Sequence, residues 1–163
     1  MIIDAIIEIP LNSNIKYEYD EKHDKLRCDR IMNTSMIYPG NYGYIPNTLA
    51  GDGDPLDILV LCDYSINPGI IIECKIIGVL IMKDEKGLDE KIIAIPSNNV
   101  DINSEKINNL DDLQENLLSK IYHFFQHYKD NDKNKWTEIK EHKIRSKIYA
   151  ENLIHKYKIN SKL

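Results

Sequence analysis

Apolar residues cluster in strand-length runs over the first hundred positions and recur at helical steps only afterwards. Residues 2–9 form one apolar run with Glu8 near its end. The segments 15–19 (IKYEY) and 25–31 flank a polar stretch, which predicts a hairpin with a long turn. Alternation places Lys16 and Glu18 on one face of it and Ile15, Tyr17 and Tyr19 on the other. Further strands are predicted at 58–62, 70–82 and 91–96, with Gly78 marking a bulge or bend in the longest. Residues 33–57 read as one long ordered loop, punctuated by Pro39, Gly40, Gly43, Pro46, Gly51, Gly53 and Pro55. A loop of that length in a small domain is usually functional. Leu110, Leu113, Leu117, Ile121, Phe124 and Tyr128 then recur at steps of three and four. That period predicts one amphipathic helix over 110–129, capped by Asn108 or Asn109. A short strand over 136–139 and a second helix over 144–157 complete the pattern. Strands first and helices last predict an α+β fold, a small β-barrel or sheet with helices packed on one side.

Length and charge narrow the classes. A chain of 163 residues predicts a single domain over 1–163, large enough to build its own core. The net charge of −5 argues against a dominant basic face, hence against a duplex-binding protein. No stretch approaches the ~20 apolar residues of a membrane span. The segment MIIDAIIEIP has no basic n-region and carries Asp4 and Glu8, so it is not a secretory signal. Cys28, Cys62 and Cys74 form no C-x-x-C pair; Cys62 and Cys74 are expected to be buried thiols, which fits a cytoplasmic setting. Ser161-Lys162-Leu163 matches a peroxisomal address, a tripeptide that also recurs by chance.

The chemistry concentrates in Asp52-Gly53-Asp54-Pro55-Leu56-Asp57, three carboxylates in six residues. Like charges this close repel unless cations neutralise them, and carboxylate oxygens are what hard divalent cations require. An EF-hand loop is excluded, because its obligatory glycine would be Asp57 and its twelfth position Asp63. A small carboxylate set that leaves room for water suits magnesium. A second acidic set, Asp84, Glu85 and Asp89, lies in a turn between apolar runs. It is either a second group of ligands or a solvated hairpin tip. Lys16, Arg30, Lys91 and Lys129 each sit in or beside an ordered apolar segment, where ammonium and guanidinium groups can hold phosphate oxygens. Tyr38, Tyr42 and Tyr44 crowd the stretch before the acids, and Tyr128 adjoins Lys129. His123 and His127, four apart, are read as histidines packed at a helix surface or interface rather than as a metal pair. His23, His142 and His155 are read as solvated surface residues.

The segments IEIP (7–10), IKYE (15–18), DRIM (29–32), YPGNYGYIPNTLAGDGDPLD (38–57), VLIMKDEKGLDEK (79–91) and HFFQHYKDNDKNKW (123–136) resemble, in colinear order, the family I inorganic pyrophosphatases of bacterial type. The resemblance implies a five-stranded OB-like β-barrel with helices against it. It implies hydrolysis of inorganic pyrophosphate with several Mg2+ ions per site, by direct attack of a metal-activated water and without a covalent phosphoenzyme. Asp52, Asp57, Asp84 and Asp89 match metal ligands, and Asp54 the general base. Lys16, Arg30, Tyr42, Lys91, Tyr128 and Lys129 match groups that hold the two phosphates. Glu8, Glu18, Tyr38 and Glu85 match further active-site positions. The resemblance also implies a homohexamer with His123 and His127 at subunit contacts. Two departures from the family pattern are that the usual N-terminal arm is largely absent and that Asn134 lies where the family often has glycine, asparagine tolerating a left-handed backbone almost as well. No nucleic-acid or membrane partner is expected. The rival classes are an OB-fold module for single strands, disfavoured because the tyrosines stand beside carboxylates, and a phosphatase of organic phosphates, for which no apolar leaving-group pocket is evident.

Overall fold

The computed structural model describes residues 1–139 and 144–159. Its strands are β1 (Ile2–Ile9), β2 (Ile15–Asp20), β3 (Lys25–Ile31), β4 (Asn41–Tyr44), β5 (Asp57–Val60), β6 (Ile71–Asp84), β7 (Gly87–Pro96), β8 (Thr137–Glu138) and β9 (Ile144–Ser146). Two α-helices, α1 (Glu115–His127) and α2 (Lys147–Tyr157), lie in the C-terminal third. Strands β1, β4, β5, β7 and β6 pair in that order, and β6 pairs back onto β1, so five strands close into an OB-like barrel. This is the expected α+β architecture. The hairpin β2–β3 forms its own two-stranded sheet, and β8 and β9 both add to β6.

Both faces of the barrel wall are covered, which explains why β6 and β7 read as nearly unbroken apolar runs. Alternate residues sort into two clusters. One holds Ala5, Ile7, Ile58, Val60, Ile92 and Ala94 with Ala150, Leu153 and Ile154 of α2. The other holds Leu59, Leu61, Leu80, Met82, Ile93 and Ile95 with Ile121, Phe124 and Phe125 of α1.

Several expectations need correction. The stretch 33–57 is not wholly loop, because it contains β4. Only glycine at position 43 lets β4 approach β1 this closely: a Cβ there would lie 1.9 Å from the Ile6 carbonyl oxygen. The helix predicted over 110–129 is a 3-10 turn at Leu110–Asp112 followed by α1. Asp112 accepts the amides of Asn108 and Asn109, and Leu113 is extended, so the periodic leucines reach the core without one continuous helix. Gly78 does mark a register shift between β6 and β7, and it leaves room for Leu110. The helix predicted from 144 starts at Lys147, because Ile144–Ser146 pairs with Gly78–Leu80 of β6. Cys74 is buried and Cys62 only partly so. Asp84 and Asp89 lie on strands rather than in the turn, which is confined to Glu85 and Lys86. His23 is exposed at the surface, as expected, with its ring 2.8 Å from Asp20. Asn134 has φ +61°, the left-handed value expected there. His142 and Ser161-Lys162-Leu163 lie outside the described residues.

Candidate active site

The α1-side rows of the barrel run from hydrocarbon into charge at one edge. Along β5 the row Leu61, Leu59 continues as Asp57. Along β7, Ile95 and Ile93 continue as Lys91 and Asp89. Along β6, Leu80 and Met82 continue as Asp84. Because β5 and β7 are parallel neighbours with Asp57 opposite Lys91, the register itself places an acid beside a base. The Lys91 ammonium hydrogen-bonds both Asp57 and Asp89. It is 2 % exposed. Burial alone would pull it down, but Asp57, Tyr42 and Asp89 outweigh this and hold it well above the usual lysine range. Burial pushes the Asp89 carboxyl above its usual range even with Lys91 beside it.

A second acid–base group stands at the end of the β6–β7 hairpin. Lys129 follows α1 and donates to Asp84 at 2.7 Å and Glu85 at 3.4 Å. Burial opposes ionisation of Asp84, yet the Lys129 hydrogen bond and the Lys86 amide hold its carboxyl below the usual range. Glu85 is likewise lowered: burial opposes this, but its own backbone and Lys129 prevail. Tyr128 caps α1 and stacks on Phe124 at 5.1 Å, and Tyr38 packs against Tyr42 and Phe124 at 5.2 and 4.7 Å. Burial pushes all three phenols up, so Tyr38, Tyr42 and Tyr128 keep their protons and remain donors.

The β2–β3 hairpin brings the remaining bases. Lys16 contacts Glu18 and lies 3.8 Å from Asp29. Arg30 donates from Nη1 to Asp29 at 2.8 Å and places Nη2 3.4 Å from Asp132. Its Nε is buried without a protein acceptor among the described residues, an orphan donor suited to an anion's oxygen. Glu8, at the end of β1, accepts the Tyr19 amide at 2.9 Å. Burial, and then the nearby Asp57 and Glu18 carboxylates, push it up to about 7.

Asp52 and Asp54 differ in setting. Both are exposed on the β4–β5 loop, where the Asp54 amide donates to Asp52 at 3.1 Å. Lys86 of the hairpin turn lies 3.7 Å from Asp54, which joins the central loop to the second acidic set.

The donor set fits divalent cations. The residues named from the sequence include twice as many carboxylates as cationic side chains; at Glu8, burial first and the neighbouring Asp57 and Glu18 carboxylates second oppose ionisation. Among the described residues no three acidic or imidazole groups form a ready cage; ammonium groups stand between the acids instead. Sequence reasoning missed Asp29, Asp132 and Lys86. The Asp29-Arg30 dipeptide was a signal for the first; the other two meet their partners only through the tertiary fold.

A model of the inorganic pyrophosphatase family matches residues 5–161. The chain is 54 % identical over 137 residues to the inorganic pyrophosphatase of Saccharolobus solfataricus, covering 84 % of this chain and 80 % of that protein. It is 52 % identical over 153 residues to that of Rickettsia prowazekii, covering 93 % and 88 %. The solved inorganic pyrophosphatase of Helicobacter pylori superposes with a TM-score of 0.92 at 42 % identity, covering 96 % of this chain and 91 % of that one. That of Thermus thermophilus gives 0.89 at 38 % identity, covering 94 % and 87 %.

Proposed function

The chain belongs to the inorganic pyrophosphatase family, and from that premise we propose that residues 1–163 act as one Mg2+-dependent unit that hydrolyses pyrophosphate to two phosphates by direct attack of water. The observation that carries this reading is the pair of acid–base groups, Asp57–Lys91–Asp89 and Asp84–Lys129–Glu85, gathered at one barrel edge.

Asp52, Asp57, Asp84 and Asp89 would hold the cations, with Glu8 and Glu18 reaching them through water. Bound Mg2+ supplies charge neutralisation and lowers the pKa of a nearby water. The chain does the rest. Released from their carboxylates, Lys91 and Lys129 join Lys16 and Arg30 in gripping phosphate oxygens, and the Arg30 Nε gains the acceptor it lacks. Tyr42 and Tyr128 donate as neutral phenols to the same anion. Asp54, exposed to solvent, accepts the proton of the attacking water at its carboxylate. Fixed donors around the departing phosphate stabilise its charge without reorganisation.

A small inorganic substrate fits better than an organic phosphate. A hollow of about 790 Å³ with a mixed lining, Asp63 and Lys120 among its apolar residues, does open beside Tyr38 and Phe124. Of the residues assigned to the site, only Tyr38 lines it, so this hollow does not serve the phosphate-gripping groups as a seat for an organic leaving group. The chain is read as a cytoplasmic homohexamer, with the His123 and His127 rings, 5.0 Å apart and tilted by 50°, at a subunit contact. Phosphate release from pyrophosphate tests the activity. Release is expected with magnesium and not with EDTA, and to be poor with calcium, whose looser coordination holds substrate less well for in-line attack. Release unchanged by EDTA would refute the metal requirement, and none with magnesium would refute the activity.

A further inference from the structure

One buried hydroxyl ties together the two ends of the β4–β5 loop. Thr48 is 3 % exposed. Its Oγ1 donates to the Ile45 carbonyl at 2.6 Å and accepts the Leu56 amide at 2.9 Å. The Ile45 amide donates in turn to the Leu56 carbonyl at 2.9 Å. Ile45, Thr48 and Leu56 thus form a closed collar at the root of the loop, one residue before Asp57. The end of α2 grips the same root: the Leu49 amide donates to the Tyr157 carbonyl at 2.8 Å, and the Ile159 amide to the Asn47 carbonyl at 2.9 Å. Beyond the collar the loop curls on its own hydrogen bonds, Ala50 amide to Asp54 carbonyl at 2.8 Å and Gly53 amide to Ala50 carbonyl at 3.1 Å. Its acids are exposed, so apolar packing does not set where they stand. That task falls to the collar, because freeing the Leu56 amide in a buried setting is costly.

We propose that Thr48 is a positioning residue for cation binding: it fixes the root of the loop and thereby the spacing between Asp52 on the loop and Asp57 on β5. This rests on reading those aspartates as cation ligands. Thr48 itself touches neither cation nor substrate. Thr48→Val keeps the branched shape and removes the hydroxyl, whereas Thr48→Ser keeps the hydroxyl.

Calorimetric titration of magnesium into the full chain separates this role from a merely structural one. Thr48→Val is expected to weaken magnesium binding about fivefold, and Thr48→Ser to stay within about twofold of the parent. The KM for pyrophosphate at saturating magnesium should be unchanged in both. Parent-like magnesium affinity in Thr48→Val, or equal weakening in Thr48→Ser, overturns the proposal. Calorimetry needs no turnover, so a parent protein that binds magnesium but releases no phosphate sinks the pyrophosphate reading alone. Should Thr48→Val not fold, amide exchange in the parent decides. Exchange at Leu56 as slow as at Ile58 supports the collar, and exchange as fast as at Asp52 overturns it.

Discussion

The two acidic regions of the site are built in opposite ways. Asp57, Asp84 and Asp89 extend packed strand rows and are neutralised by buried lysines, so the barrel that holds the core also fixes these carboxylates. Asp52 and Asp54 project from a loop, exposed, with one distant ammonium beside Asp54. Ligands that must hold a fixed geometry gain from rigid strands, or at Asp52 from the hydrogen bonds that tie the root of the loop, whereas a proton acceptor such as Asp54 needs access to water and freedom from a tight ammonium partner.

Replacing one acid from each region puts this contrast at risk. Asp57→Asn should lower kcat/KM by about 10³-fold or more and also lower the unfolding midpoint, because buried Lys91 keeps only Asp89. Asp54→Asn should lower kcat by on the order of 10²-fold while leaving stability within about 0.5 kcal/mol. Steady-state kinetics and urea unfolding read both. A large stability loss in Asp54→Asn, or none in Asp57→Asn, would erase the distinction.

Glu8 sharpens it through pH. The folded protein keeps a proton on Glu8 up to about 7, while the unfolded chain releases it near 4.5. The stabilisation from that held proton is complete below 4.5 and lost as pH rises through about 7. In EDTA at pH 8, Glu8→Gln is therefore expected to be more stable than the parent by up to about 3 kcal/mol, and nearly equal to it at pH 4. Urea midpoints at the two pH values check this; a Glu8→Gln no more stable at pH 8 contradicts it. The smallest effect belongs to Lys86→Ala, whose pair with Asp54 is exposed. Kinetics should change less than about threefold and stability by less than about 1 kcal/mol.

The fold was legible where period and length agreed, as in β1, the β2–β3 hairpin and β6. It was not legible at β4, four residues whose pairing depends on a glycine beneath a neighbouring carbonyl. Nor was it legible at Leu110–Gln114, where the leucines keep a helical period but Asp112 caps a separate turn. The acids stood out as a cluster. Their lysine partners did not, because Asp57 meets Lys91 through a parallel register between strands separated by all of β6. The sequence marks the bases only as groups that hold phosphate, whereas in the folded chain Lys91 and Lys129 also pair with the acids.

The central claim is that divalent cations take over from those ammonium groups and free them for the anion. Anomalous scattering from crystals soaked in manganese and phosphate tests it most directly. The account predicts manganese peaks against Asp57, Asp84 and Asp89, with Lys91 and Lys129 turned onto phosphate oxygens. Crystals in which Lys91 still bridges Asp57 and Asp89, with no manganese beside them, would contradict it.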